Sequence, residues 1–263
     1  MSFNKITIGA DPELFILNTK TNKVVSAVGL IPGVKGNPYK PKGMPKGFGI
    51  ETDNILAEFN IPPVKCKKDF ISNIYKMKNY INKFVKNINP DLGILCSASQ
   101  EVPDSELESD QAKEFGCMPD YNVYTEKPNE KPCGETTNIR SAGFHIHCGY
   151  PNNSIDNSLK FIKYFDSYLG VPSVLRDPDT RRRSLYGKAG CFRLTPYGFE
   201  YRSLSSTLMS STTNLEFVWD QIEKAVNAWR NGLPLPSSEL VQKAINNSNV
   251  SLAKELIEYY SLE

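Results

Sequence analysis

The sequence Gly143-Phe144-His145-Ile146-His147-Cys148-Gly149 contains the only two histidines of the 263-residue chain. Residues two apart on a strand point to the same side, so a strand here directs both imidazoles into one cleft. Neutral imidazole is the commonest metal ligand, and histidine also titrates near neutral pH. The stretch therefore predicts a strand that carries a functional site. The alternative is a strand whose histidines only satisfy local hydrogen bonds.

Three other segments place charged residues two apart in strand-like, mostly apolar surroundings. They are Gly9-Ala10-Asp11-Pro12-Glu13-Leu14-Phe15, Glu51-Thr52-Asp53-Asn54-Ile55-Leu56-Ala57-Glu58-Phe59-Asn60 and Phe199-Glu200-Tyr201-Arg202-Ser203. A buried carboxylate is costly unless a cation or hydrogen bonds compensate for its charge. Clustered carboxylates suit a hard cation such as Mg²⁺, which also bridges to substrate phosphates. The candidate ligands are Asp11, Glu13, Glu51, Glu58 and Glu200; the alternative for each is a salt bridge to Arg193, Arg202 or the Arg181–Arg183 run.

The composition disfavours several classes of partner. With 31 basic and 29 acidic residues and a net charge of +2, the chain has no global basic field that favours nucleic acid or an anionic membrane. No apolar run approaches the roughly 18 residues of a membrane span, and the N-terminus lacks a signal-peptide core, so we expect a cytoplasmic protein. The six cysteines form no C-x-x-C pair, and we expect reduced thiols at Cys66, Cys96, Cys117, Cys133, Cys148 and Cys191.

The apolar pattern predicts an α+β fold, with a mainly antiparallel sheet, covering helices and a helical C-terminus. The predicted strands are Ile6–Leu17, Val24–Leu30, Ile55–Ile61, Leu92–Ala98, 141–150 and a pair within Phe192–Leu204. The predicted helices are Phe70–Val85 with Asp69 as its cap, Leu159–Leu169, Leu215–Trp229, Ser238–Ile245 and Leu252–Tyr259. We expect a catalytic domain over residues 1–210, on which the helices of residues 211–263 pack.

Three loops are candidates for substrate contacts. Residues 31–49 are rich in glycine and proline and could close over anionic groups through Lys35, Lys40, Lys42 and Lys46; the alternative is a solvated surface loop. Residues 99–139 are long and irregular, which predicts an ordered substrate loop. The third loop, Arg176–Lys188, is basic.

The four charged motifs resemble, in their order along the chain, those of the phage-type carboxylate-amine ligases. The resemblance runs from about Ile6 to Ser206 and extends more distantly to the glutamine synthetase and glutamate-cysteine ligase superfamily. It implies the curved, mainly antiparallel sheet of a glutamine synthetase-like catalytic domain. In glutamine synthetases these motifs bind two divalent metals and ATP phosphates, so the implied cofactors are ATP and Mg²⁺ or Mn²⁺.

The resemblance also implies a role for each motif residue. The implied metal ligands are Glu13, Glu58, His145 and Glu200, with Asp11 assisting. The implied phosphate-binding residues are Arg193 and Arg202, which are also catalytic, with Lys188 and Arg183 as further candidates for phosphate or for the acceptor carboxylate. Solvated surface charge is the alternative for the Arg181–Arg183 run. His147 is expected to be catalytic, either supporting a metal ligand or facing the substrate.

The chain departs from the family pattern at the first two motifs. The first acid is Asp11 where the distant relatives usually have glutamate, and Pro12 separates it from Glu13. Strand alternation places Glu51 and Asp53 on one face and Glu58 on the other, unless a bulge intervenes. The sequence context of Glu58 resembles the family motif more closely, and we therefore expect Glu58 to be the ligand.

The implied reaction forms an amide bond between a carboxylate and an amine. A carboxylate does not accept an amine at neutral pH, so ATP must first convert it to an acyl phosphate. An enzyme catalyses this phosphoryl transfer mainly by positioning the reactants and neutralising their charge. We expect the reaction to release ADP and phosphate. The substrates are expected to be a carboxylate and an amine, whose identities the sequence does not determine, and we expect no membrane partner. The family's long ATP-site insertions are absent, so a site shared between subunits is not implied. If the gene is phage-borne, the expected location is the host cytoplasm.

Three alternative functions remain open at this point. A phosphotransferase of the guanidino-kinase type has a related sheet, and amine-dependent release of phosphate would exclude it. A metal-dependent hydrolase could use His145 and His147, but no His-Glu-x-x-His helix is present and the acids outnumber the nitrogen ligands. The third alternative is a non-catalytic module, which a measurement of ATP turnover would reveal.

Overall fold

The computed structural model describes residues 5–114, 120–130, 137–177 and 179–263 of the chain. Cys117 and Cys133 and the first four residues lie outside the described residues. The other four cysteines are free thiols.

One large antiparallel sheet forms the centre of the fold, which confirms the predicted α+β class. The strands are β1 (Thr7–Asn18), β2 (Lys23–Val25), β3 (Gly49–Asp53), β4 (Leu56–Val64), β5 (Leu92–Leu95), β6 (Ser99–Glu101), β7 (Tyr121–Asn122), β8 (Lys127–Pro128), β9 (Ile139–Ser141), β10 (Phe144–Gly149), β11 (Cys191–Thr195) and β12 (Gly198–Tyr201). Their order is β3-β4-β1-β10-β12-β11-β7-β8; β2 and β5 pair with the end of β1, and β6 pairs with β9 in a separate small sheet.

The helices cover the sheet and form the end of the chain. They are α1 (Lys67–Ile88), α2 (Asp110–Lys113), α3 (Ile155–Phe165), α4 (Val171–Ser173), α5 (Arg181–Leu185), α6 (Thr212–Arg230), α7 (Ser238–Asn246) and α8 (Val250–Tyr260). Within the described ranges, no helix has the length and apolar character needed to cross a membrane.

Strand alternation divides the sheet into a core face and a polar face. On β10, Phe144, Ile146 and Cys148 are fully buried, whereas the two histidines alternate with them and point to the other side. Phe144 packs on Phe70 of α1, with 6.2 Å between ring centroids. Helices α3 and α6 also contact each other on this core side. Helices α1, α3 and α6 thus cover one face, and the polar side chains lie on the opposite face.

Several predicted boundaries differ from those observed. Helix α1 begins two residues before Asp69, which is not its cap; Cys66 holds the cap position and Asp69 lies in the first turn, where its charge favours the helix N-terminus. The predicted histidine strand, 141–150, corresponds to β10, and its first residue, Ser141, is the end of β9. The basic loop Arg176–Lys188 contains α5. The segment 99–139, which was predicted to be irregular, contains the strands β6, β7 and β8, the first residue of β9, and helix α2.

Candidate functional site

Glu58 lies on the same face as Glu51, so the alternation that separated them is wrong. Residues Asn54 and Ile55 form a two-residue turn between β3 and β4, with Asn54 at φ 55°. The two strands therefore fold back on each other, and Glu51 lies directly opposite Glu58. Counting alternate residues through the turn as if it were one strand gave the wrong face for Glu58. On its other side, Glu58 lies opposite Glu13 of β1.

The histidines meet acidic residues from both neighbouring strands. Asp11 on β1 lies opposite His145, and His147 lies opposite Glu200 on β12. Glu200 lies in turn opposite Arg193 on β11. Since directly opposed residues of an antiparallel pair share a face, the four motifs come together on the polar side of the sheet.

Two sets of side chains on this face could each hold a metal ion. The histidine-side group consists of Asp11, His147 and Glu200, and the carboxylate group consists of Glu13, Asp53 and Glu58. Within each group the possible ligand atoms all lie within 4.8 Å of one another. The two groups include Asp11, Glu13, Glu58 and Glu200, whereas the candidate ligands His145 and Glu51 belong to neither group.

His145 lies at the edge of the histidine-side group. Its Nδ1 is 3.7 Å from Asp11 Oδ1 and 3.6 Å from Glu200 Oε1. Burial lowers the pKa of His145 well below its usual value, and the Arg202 charge adds to this effect. The ring is therefore neutral near pH 7, which is the form that binds a metal.

His147 has a polar partner at each ring nitrogen. Its Nε2 lies 2.9 Å from Asp11 Oδ1, and its Nδ1 lies 2.6 Å from the Tyr197 hydroxyl. Burial disfavours the charged ring, but the Asp11 carboxylate outweighs it and the pKa of His147 is raised. The Tyr197 contact joins residues 50 positions apart, so no local spacing in the sequence indicates it.

Gly143 makes room for His145 and holds Glu13. A Cβ atom at this position would lie 2.4 Å from His145 Nε2, so any larger residue would displace the ring. The Gly143 N–H donates to Glu13 Oε2 at 2.5 Å, and the Glu13 N–H donates to the Gly143 carbonyl at 3.0 Å. The glycine that begins the histidine motif therefore positions Glu13 of the carboxylate group and the neighbouring His145 ring.

The carboxylate group carries more negative charge than its surroundings compensate. Burial raises the pKa of Glu13 to about 7, and the Asp53 charge adds to the rise. Burial and then the Asp11 and Asp53 charges raise the pKa of Glu58 well above its usual value. Crowded carboxylates of this kind favour protonation or a bound cation. Oxygen atoms dominate the donor set, and this fits a hard divalent cation.

Arginines compensate the charge of Glu200. Arg202 Nη1 donates to Glu200 Oε1, and Arg193 Nε lies 3.2 Å from Glu200 Oε2. Burial alone would raise the pKa of Glu200, but the neighbouring positive charges, Arg202 first, have the larger effect, so the pKa of Glu200 is lowered. Arg202 also lies 3.3 Å from Asp120, a buried acid of the predicted substrate loop that was not among the candidate site residues. The two predicted phosphate-binding arginines therefore lie directly beside a candidate metal ligand.

A pocket beside Glu13 has a basic wall. Its lining includes His145, Arg140, Arg182 and Arg202. Arg182 donates to the backbone carbonyls of Ser203 and Arg202, at 3.1 and 3.4 Å. Burial lowers the pKa of Arg182, and the Glu13 charge opposes this shift. Arg140 comes from β9 and was not a candidate from the sequence.

The other two predicted phosphate residues have contacts elsewhere. Arg183 is buried and donates from Nη1 to the Ser248 hydroxyl at 2.9 Å, in the connection between α7 and α8. Lys188 is exposed, and its carbonyl accepts a hydrogen bond from Ser203 Oγ at 2.8 Å. Adjacent residues of a helix point about 100° apart, so only Arg182 of the run lines the pocket.

The chain thus forms an antiparallel-sheet domain with two acid-rich groups that could each hold a metal ion, and arginines flank one of them. A model of the family described as "Phage phiEco32-like COOH.NH2 ligase-type 2" matches residues 134–222. The match covers about a third of the chain, including both histidines and the Glu200 and Arg202 motif, and it confirms the resemblance to the phage-type ligases. The first two acidic motifs lie outside the matched residues.

Solved structures are also similar to this chain, and one of them is a glutamine synthetase. A cryo-EM structure of glutamine synthetase from Plasmodium falciparum is similar to this chain at 12% sequence identity, with a TM-score of 0.41. The alignment covers 85% of this chain and 52% of that chain, so the chain spans about half the length of that protein. No curated protein matches the chain.

Proposed function

We propose that the protein is an ATP-dependent ligase that joins a carboxylate to an amine through an acyl phosphate and releases ADP. The observation that carries this proposal is the sharing of one sheet face by two acid-rich groups and by Arg193 and Arg202. Transfer of a phosphoryl group depends mainly on positioning and on neutralising charge, and this face supplies groups for both. The matched ligase family supports the same reaction class.

The carboxylate group and the histidine-side group are the proposed metal sites. Glu13, Asp53 and Glu58 would hold one divalent ion, and Asp11 and Glu200 would hold another together with a histidine. Bound ions of this kind neutralise phosphate charge and orient the phosphoryl group for in-line transfer. His145 is our proposed histidine ligand, because its pKa is lowered and its ring is neutral.

Arg193 and Arg202 are proposed to bind the transferred phosphoryl group. Arg202 is fixed from two sides by Glu200 and Asp120, so its guanidinium needs little reorganisation during the reaction. Arg193 is partly exposed, which leaves its guanidinium accessible to a ligand. The neighbouring pocket with Arg182 suits the acceptor carboxylate, because arginine binds carboxylates in a planar, two-pronged geometry.

The donor sets favour this proposal over a zinc hydrolase. Each group contains at least two carboxylates, and the carboxylate group contains no nitrogen ligand. Zinc sites in proteins rely mainly on cysteine and histidine, whereas Mg²⁺ takes oxygen ligands.

A product screen tests the proposed reaction. The protein is incubated with pools of carboxylates and amines, with ATP and Mg²⁺ or with ATP and a chelator, and mass spectrometry identifies products that require the metal. With the substrates found, a carboxylate labelled with heavy oxygen should transfer label to the released phosphate, and the nucleotide product should be ADP. Formation of AMP, or unlabelled phosphate, would show that the proposed chemistry is wrong. The Glu200→Gln variant, tested in parallel, should form no metal-dependent product.

A further inference from the structure

The start of the lysine-rich 31–49 segment is anchored along the outer edge of β3. The Thr52 N–H donates to the Gly33 carbonyl at 3.2 Å, and Tyr39 and Ile50 exchange two backbone hydrogen bonds of 2.7 and 2.9 Å. Between these anchors, the chain forms a tight turn closed by hydrogen bonds between Val34 and Asn37. The tip of this turn, Lys35-Gly36, is therefore held at a fixed place beside the polar face.

The tip contacts two acids of this face. Lys35 Nζ lies 2.8 Å from Asp53 Oδ1, and the Gly36 N–H donates to Glu51 Oε2 at 3.1 Å. The Asp53 side chain is only 2% exposed, whereas 48% of the Lys35 side chain is exposed. The ammonium group thus approaches a buried carboxylate from the solvent side. Lys42, in the same segment, is exposed and has no ion pair among the described residues.

The same carboxylate belongs to the carboxylate group proposed to bind a divalent ion. Asp53 shares that group with Glu13 and Glu58, whose ligand atoms lie within 4.8 Å of those of Asp53. If the Lys35 ammonium and a divalent cation both contacted the Asp53 carboxylate, the two positive charges would lie a few ångströms apart and would repel each other strongly. The Lys35 side chain is half exposed and carries its charge on a flexible stem, so it can move into solvent when a second cation arrives.

We propose that Lys35 is a built-in counter-ion of the carboxylate group and competes with the divalent metal for Asp53. This inference rests on the metal binding in the proposed function and adds a regulatory contact to it. Lys35 stabilises the protein without metal by compensating buried acid charge. Metal binding displaces its ammonium, so the affinity for metal is lower than the carboxylates alone would give. Anything that draws Lys35 away from Asp53 then strengthens metal binding.

Calorimetric titration with Mg²⁺ and Mn²⁺, without nucleotide, tests the competition. Lys35→Met removes the ammonium and keeps a similar side-chain length; Lys42→Met makes the same charge change in the same segment. We expect the metal dissociation constant of Lys35→Met to fall on the order of fivefold, the scale of a partly exposed ion pair. Lys42→Met should stay within twofold of the wild type, and so should Lys35→Arg, which keeps the cation.

Thermal unfolding gives an independent readout through linkage. Lys35→Met should melt at a lower temperature than the wild type in chelator, and the difference should shrink at saturating Mg²⁺, because in the bound state both proteins lack the contact. Equal or weaker metal affinity in Lys35→Met, or an equal gain in Lys42→Met, would overturn the inference and leave the proposed metal site intact. If the wild type binds no divalent ion at all, the metal site itself is refuted, and the competition with it.

Discussion

Glu13 is the residue whose replacement should show most directly that the carboxylate group is built for a cation. Burial and the Asp53 charge raise its pKa from 4.5 to about 7. The folded protein therefore binds a proton more tightly than the unfolded chain does, and the stability contributed by that proton is lost as the pH rises between these two values. Above pH 7 the ionised carboxylate is a net cost to the metal-free protein.

The size of this cost follows from the shift in pKa. At about 1.4 kcal/mol for each pH unit, the rise from 4.5 to about 7 corresponds to about 3 kcal/mol. Glu13→Gln removes the titrating charge and keeps an oxygen that can accept the Gly143 N–H. In chelator, we expect the variant to be more stable than the wild type by up to about 3 kcal/mol at pH 8, and by close to nothing at pH 4.5.

Urea denaturation at a series of pH values, followed by tryptophan fluorescence, measures the difference. Glu216→Gln is a suitable control, because it removes an exposed acid of α6. Saturating Mg²⁺ at pH 8 should reverse the order of stability, since the wild type gains a metal that the variant binds weakly. A variant that is no more stable than the wild type at pH 8, or whose advantage does not grow with pH, would refute the reasoning.

Three further predictions concern neighbouring residues. Gly143→Ala should displace the His145 ring, because its Cβ would lie 2.4 Å from Nε2, and should weaken metal binding at least tenfold in calorimetry; an unchanged affinity would remove His145 from the site. His145→Ala should raise the metal requirement of ATP turnover more than His147→Ala does, and the opposite order would make His147 the ligand. Arg193→Ala and Arg202→Ala should each lower turnover on the order of 10²-fold if they stabilise the phosphoryl transition state. Near-normal turnover in both would leave them as salt-bridge partners of the sheet.

Period-two spacing was enough to predict the part of the site that lies on single strands. Asp11 and Glu13 on β1, like the two histidines on β10, share a face because alternate residues of a strand must do so. The presence of a strand with a polar and an apolar side could likewise be predicted from sequence. These features depend only on local geometry, which the order of residues determines.

The missed features depend on turns and on contacts between distant segments. The face of Glu58 required knowledge of the two-residue turn at Asn54, which reverses the chain and resets the alternation. Asp120 reaches Arg202 from a segment 82 residues away, and Lys35 reaches Asp53 through a turn anchored on β3. A single sequence contains no spacing that reports such contacts, because they arise only when the sheet has assembled.

Strand β10 links the stability of the fold to the chemistry proposed for it. Phe144, Ile146 and Cys148 are fully buried in the core that the helices cover, and the alternating histidines lie among the acids on the other side. A change that slides β10 by one residue would turn the histidines toward the apolar core and the apolar side chains toward the polar face, so the packing of the core specifies the register of the site. The acids of the carboxylate group cost stability where they are crowded, as the raised pKa of Glu13 shows. The apolar face of the same strands offsets this cost, and the crowded charge remains available to attract metal ions.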